Sequence, residues 1–402
     1  VEVILVKRKK GNIDTGILIG LSLAAIVGLM VYLFPTVTWP SPGGRYDVGL
    51  KIIELEDKSR QDPFADVTMS RRLVVDVWYP AANTSGNRRS PWLRNAPLFI
   101  NSLASNYDLP AIIFQHLRTV KSNSYIEAKP LMIEGGAPVV IFSPGTPAIV
   151  PLYFSFAEYL ASRGYVVIGI EHPYSAAVVE FSDGTQVHFS RERAEQFPGA
   201  HSFEEGVRLG MELMAGDFSF VIDELENMAD GDRLPLGFLD TDRIAVFGHS
   251  GGGGVVHFLS LFEKRIDALI SFDPALFVMT DDELKVGMNI PALIMETGNW
   301  LEREEAGNLH LLTNSGEVKP YLLKLPNANH PDFAMLDHLS PLAHYLGFTG
   351  TFMTSGGEEY LYKSINSFLE YAFGERSEKE FLETLLSRKD VQLFIGDRQI
   401  NE

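Results

Sequence analysis

A serine hydroxyl attacks an ester or amide only when a neighbouring base can take its proton, and Asp242 to Gly254 sets up such a serine. Ile244-Ala245-Val246-Phe247 is a short apolar run that reads as a buried strand. It ends in Gly248-His249-Ser250-Gly251-Gly252, a G-x-S-x-G match, and an apolar pattern at helical spacing follows with Val255, Val256, Phe258 and Leu259. Strand, sharp turn and helix give this motif its meaning: the turn exposes the Ser250 hydroxyl, and the Gly251 N–H opens a helix that can face an oxyanion. The bland alternative is a glycine-rich loop whose serine caps a helix; the flanking elements favour the nucleophile.

The base and the acid that orients it lie downstream of such a serine, acid first and histidine second. Asp273 ends the apolar run Ala268 to Phe272, and His330 follows the run Tyr321 to Leu325. Glu296, after Ala292 to Met295, is the rival acid, and the residues alone leave Asp273 and Glu296 both open. Asp273 precedes Pro274 and so also suits a plain turn; His338 and His344 lie near His330 but not directly after a strand. A second oxyanion N–H is expected from Ser143-Pro144-Gly145-Thr146. Proline has no N–H, so Thr146 is the first choice and Gly145 the reserve. His172 and His249 read as structural histidines. Leu276, Phe277 and Trp300 are candidates for an acyl pocket or for core.

The elements that must position these residues repeat along the chain. Tyr46 to Leu55 and Arg71 to Tyr79 read as strands, then Ala81 to Ala137 loses any strong period, with a weakly helical piece at Leu109 to Val120. That stretch suits a lid or an entry wall and suits structural filler equally. Val139 to Phe142 and Tyr165 to Ile170 are buried-strand runs with a helical stripe between them, and Val207 to Leu225 is a longer stripe leading to the Ser250 strand. Strands alternating with helices at this spacing predict an α/β fold with a mostly parallel, doubly wound sheet and active residues at the strand C-terminal ends. Glu358 to Phe373 reads as a helix. Ser377-Glu378-Lys379-Glu380 is a capping box opening another helix, which is expected to bury Phe381, Leu382, Leu385 and Leu386, and Val391 to Ile395 is expected to dock on the body.

Near the start, Gly16 to Phe34 is an uncharged apolar run long enough to cross a bilayer, with Lys7, Arg8, Lys9 and Lys10 before it. A signal peptide would also have a basic flank, but the run is long for one and no small-residue cleavage pattern follows. The reading is a membrane anchor with the N-terminus cytoplasmic and the bulk of the chain extracytoplasmic. Val1 in place of Met suggests a trimmed piece, and the apolar Val1 to Val6 would then be the stub of an earlier span. The organisation expected is a basic flank over 1–15, a transmembrane helix over 16–37, a Pro/Gly-rich linker over 38–45, a catalytic domain over 46–375 and a helix and tail over 376–402.

A net charge of −18 over 402 residues argues against nucleic acid as a partner. The absence of cysteine removes disulfides, thiolate metal sites and cysteine nucleophiles together. No His/Asp/Glu cluster has metal-ligand spacing and no G-x-G-x-x-G opens a helix after a strand, so no metal and no cofactor are expected. Oligomeric state is open.

At Val74 to Pro80, Phe142-Ser143-Pro144-Gly145, Arg163 to Val167, Glu171-His172, the Ser250 motif, Phe272-Asp273-Pro274 and His330, the chain resembles the platelet-activating-factor acetylhydrolase group of α/β-hydrolases, the lipoprotein-associated phospholipase A2 type. The resemblance runs patchily from about Val48 to Phe373. It implies the α/β-hydrolase fold, with Ser250 as nucleophile, His330 as base and Asp273, not Glu296, as the acid. It also implies calcium-independent hydrolysis of short or oxidised acyl chains from phospholipids. One departure stands out: Ser143-Pro144-Gly145 where the family often has Ser-His-Gly, which leaves general carboxylesterase or lipase activity open. A catalytically inactive binding module of the same fold is the third reading, and fold alone does not decide among them.

Overall fold

The computed structural model describes residues 15–65, 69–228, 239–298, 300 and 305–400. The basic flank before the apolar run and the stub at Val1 to Val6 fall outside them.

Largely apolar runs make strands buried on both faces, and five strands built on such runs carry the site. The sheet begins with β1 (Asp47–Gln61) and β2 (Ser70–Asn83), an antiparallel pair. It continues with β3 (Ala137–Ser143), β4 (Val166–Glu171), β5 (Leu239–His249), β6 (Ala268–Phe272), β7 (Ala292–Thr297), β8 (Tyr321–Leu325) and β9 (Gln392–Ile395). Across the sheet these run β9-β8-β7-β6-β5-β3-β4-β2-β1, and every neighbouring pair from β8 to β4 is parallel. Short strands extend the β1 edge. The expected mostly parallel sheet is present, and the ends of β3, β5, β6, β7 and β8 converge on one rim.

Alternation along β5 divides the core in two. Ala245 and Phe247 face one side with Phe142, Phe156 and Phe272, while Ile244 and Val246 face the other with Phe218, Val221 and Val256. The helices follow the same division. α1 (Thr15–Leu33) stands apart from the sheet, α2 (Ala96–Asn106) lies in the irregular stretch, and α3 (Phe154–Ala161) covers the first face. α4 (Phe203–Met228) and α5 (Gly251–Leu259) cover the second, and α6 (Glu358–Ala372) with α7 (Glu378–Leu385) returns to the first. Burying Val255, Val256 and Leu259 of α5 contributes about 1.5–3 kcal/mol each, which fixes the helix that starts at the nucleophile.

The structure sharpens several expectations. The apolar helix ends at Leu33, so 34–37 lie beyond it. Residues 38–45, read as a linker, are packed down: Trp39 meets Trp92 and Phe154, and Asn123 Nδ2 donates to the Pro40 carbonyl. The weak helix of the irregular stretch is 3₁₀, over Ala111–Thr119. The Ser377 capping box forms as expected, but only Phe381 and Leu385 are fully buried on α7; Leu386 is exposed, because it falls at the C-cap after the helix has turned away. The apolar tail docks by adding β9 to the sheet, antiparallel to β8.

Candidate active site

Ser250 sits at the β5–α5 junction with φ 53° and ψ −117°, a conformation side-chain-bearing residues rarely adopt. Its N–H donates to the Phe272 carbonyl and its own carbonyl accepts from Ala275 N–H, both at 2.9 Å, so β6 holds the turn in place. The two outer glycines of the motif are steric requirements. A Cβ at Gly248 would run into the Gly252 carbonyl, and one at Gly252 into the Ser143 carbonyl. Gly251 begins α5, where first-turn N–H groups have no intrahelical acceptor.

Asp273 and His330 come together from β6 and the loop after β8. His330 Nδ1 donates to Asp273 Oδ2 at 2.9 Å. The fully buried Asp273 carboxylate also accepts from Thr297 N–H at Oδ1 (2.8 Å) and Thr297 Oγ1–H at Oδ2 (2.7 Å). Three donors therefore fix both oxygens. With its proton on Nδ1, His330 carries its basic lone pair on Nε2, and the ring shares a cavity wall with Ser250. Trp300 stacks on that ring, centroids 4.3 Å apart. Glu296, the rival acid, is buried at the end of β7; the carboxylate on His330 Nδ1 is that of Asp273.

The turn after β3 lies against the same point. Thr146 Oγ1 would be 3.1 Å from a Cβ on Gly251, which places Thr146 beside the α5 N-terminus. The Gly145 N–H, by contrast, donates to the Tyr153 hydroxyl at 3.2 Å. That hydroxyl is 2.6 Å from His249 Nδ1. Burial pushes the Tyr153 hydroxyl far up, so it keeps its proton and donates to His249. Burial, and then the nearby His330, push the His249 imidazole well below its usual range. His249 is thus a neutral ring accepting at Nδ1, a packing piece as its place in the motif suggests. His172 is likewise structural: its Nδ1 donates to Asp217 at 2.9 Å, and burial lowers its pKa.

Among the described residues, one group could bring three metal-capable side chains together: His249, Asp273 and His330, with ligand atoms within 4.8 Å of one another. Its donor set fits a proton relay better than a cation site, since three donors already occupy the Asp273 carboxylate and a hydroxyl occupies His249 Nδ1.

Two cavities meet at Ser250 and Thr146. The first, about 370 Å³, is largely apolar and holds His330. Its walls come from the irregular stretch, through Trp92, Leu103 and Leu117, and from 331–348, through Leu339 and Phe348. Of the stretch left open as lid, entry wall or filler, residues between Trp92 and Leu117 form cavity wall. Phe34, just past α1, also lines this cavity. The second, about 350 Å³, includes Gly251, Phe277 and Trp300. Leu276, expected as a possible pocket residue, is instead buried in the core. Sequence reasoning missed Thr297 and Tyr153, since nothing about a threonine after Glu296 or a tyrosine in a helical run announces a partner on another strand.

Comparison with known proteins finds relatives among esterases. The family model for platelet-activating factor acetylhydrolase, isoform II, matches residues 32–198. A probable 1-alkyl-2-acetylglycerophosphocholine esterase of Arthroderma benhamiae is 29% identical over 256 residues, which is 59% of this chain and 59% of that protein. The platelet-activating factor acetylhydrolase of Cavia porcellus is 24% identical over 271 residues, 63% of this chain and 59% of that protein. The matched stretch therefore spans under two thirds of either relative's length. Among solved structures, a ferulic acid esterase from Streptomyces cinnamoneus superposes with a TM-score of 0.68 at 24% identity, covering 89% of this chain and 98% of that one. These matches bear out the resemblance to the platelet-activating-factor acetylhydrolase family and the α/β-hydrolase fold.

Proposed function

We propose that this chain, related to the platelet-activating-factor acetylhydrolases, is a serine ester hydrolase acting on phospholipids with short or oxidised acyl chains. The observation that carries the reading is the Asp273–His330 hydrogen bond at 2.9 Å beside a serine on a strained strand-to-helix turn. In this reading His330 Nε2 takes the Ser250 proton as Oγ attacks the ester carbonyl, and the oxyanion is held by the Gly251 and Thr146 N–H groups. Gly145 is set aside because its N–H serves Tyr153. Collapse breaks the ester bond, and the His330 proton goes to the departing alcohol. Water, deprotonated by His330, then releases the acid and restores the serine. No cofactor enters these steps.

The substrate class draws support from the apolar walls of the first cavity and from Phe34, which puts the exit of the apolar helix at the cavity itself. α1 is exposed over residues 16–32 and is apolar enough to cross a membrane. We read it as an anchor, with the catalytic body extracytoplasmic. Ser143-Pro144-Gly145 in place of the family's frequent Ser-His-Gly favours, as the second reading, a broader carboxylesterase. The deciding experiment is labelling by a fluorophosphonate probe. The chain should be labelled and Ser250→Ala should not; equal labelling of both removes the nucleophile.

A further inference from the structure

The second cavity differs in chemistry from the first. One part of its wall is Ser250, Gly251 and Thr146; another carries Arg191 and Arg193 among aromatic rings. The Arg193 guanidinium lies 4.5 Å from the Tyr174 ring centroid and 5.6 Å from that of Phe64. Arg191 lies 5.1 Å from the Phe203 ring. Ring faces orient a guanidinium without neutralising it.

Among the described residues, no carboxylate forms an ion pair with either arginine. Other arginines in this part of the molecule are held: Arg60 and Arg71 by Asp217, and Arg208 by Glu283. Glu192 and Glu195, on the same turn, are exposed and do not line the cavity. Asp62, the acid bonded to Tyr174, is also within 3.7 Å of Arg71. In a chain with a net charge of −18, two guanidinium groups that pair with no carboxylate among the described residues share a cavity with Ser250.

Resting on Ser250 as the nucleophile, we infer that Arg191 and Arg193 form a subsite for an anionic oxygen group carried by the ester substrate. A terminal carboxylate on the acyl chain and a phosphodiester on the alcohol side share that chemistry. The first cavity takes the apolar remainder, so the substrate spans the nucleophile with an oily part on one side and a charged part on the other.

The test uses the full chain in detergent, comparing wild type, Arg193→Lys and the Arg191→Gln/Arg193→Gln double variant. One arm sets mono-p-nitrophenyl glutarate against p-nitrophenyl butyrate; the other sets a short-chain phosphatidylcholine against the matching diacylglycerol acetate. In the double variant the ratio of kcat/KM for the anionic ester to that for its neutral partner should fall about tenfold or more, mostly through KM. Arg193→Lys should recover part of it. A fall in the first arm assigns the site to the acyl carboxylate, and a fall in the second to the phosphodiester; unchanged ratios in both overturn the proposal. Calorimetric titration of glutarate and of glycerophosphocholine into Ser250→Ala, with and without the two arginines, reads the subsite without turnover. Affinities that ignore the arginines also overturn it. Failure of the nucleophile shows up separately, as fluorophosphonate labelling that does not depend on Ser250.

Discussion

Trp300 lies flat on the His330 imidazole, with ring planes 8° from parallel, while Asp273 holds the same ring at Nδ1. One partner fixes where the ring plane lies and the other fixes which nitrogen carries the proton. Trp300→Ala should therefore lower kcat/KM for p-nitrophenyl butyrate about three- to tenfold, the scale of one aromatic pair, and Trp300→Phe should keep most of the activity. Equal activity in all three would mean that the stack does not position the base.

Asp273→Asn should cost about 10⁴-fold in kcat, since an amide cannot enforce the His330 tautomer. Glu296→Gln should cost far less. Thr297→Val removes one of the three donors on the carboxylate, the Thr297 hydroxyl, and should lose about tenfold. Steady-state kinetics on one ester ranks all three. A larger loss at Glu296 than at Asp273 would move the acid to β7.

Much of this was legible in the sequence, for a physical reason. β3, β6, β7 and residues 244–249 of β5 are buried on both faces, so they are written as largely apolar runs, and a residue that follows such a run lies on the rim. Ser250 and Asp273 could be placed that way, and His330 by following β8, whose apolar run only Lys324 interrupts. Thr297 and Tyr153 could not, because their roles come from which strand lies beside which. The stretch 81–137 hid its role as cavity wall because 3₁₀ turns and short edge strands carry no sustained period.

Stability should carry a pH signature at Glu158. This residue is buried on α3, where Ser124 Oγ donates to it at 2.6 Å. Burial raises its carboxyl to about 7, against the opposing hydrogen bonds from Ser124. An unfolded glutamate ionises near about 4.3, so the folded state holds the proton longer. That contribution is complete below about 4.3 and is lost as pH rises through about 7. Glu158→Gln mimics the protonated acid. Denaturant unfolding at pH 5 and pH 8 should show the variant gaining on wild type as pH rises, by at most about 1.4 kcal/mol per unit. A constant difference would show that Glu158 is already ionised in the folded protein.

Orientation is open to a direct check. Protease added to intact cells should digest the catalytic body, leaving α1 with the membrane. Protection until lysis would put the body on the cytoplasmic side.

The segment that we propose as a tether is also masonry. Phe34 forms part of the wall of the first cavity, the Tyr32 hydroxyl meets that of Tyr345 at 2.7 Å, and Ser340 Oγ donates to the Leu33 carbonyl. Cutting the chain after residue 36 to make a water-soluble enzyme would thus remove a brick as well as a leash. The freed enzyme would have a wider mouth, and its tolerance for acyl length would not be that of the anchored one. With α1 as the anchor proposed above, address and selectivity would share the same few residues, and relocating the protein would retune what it accepts.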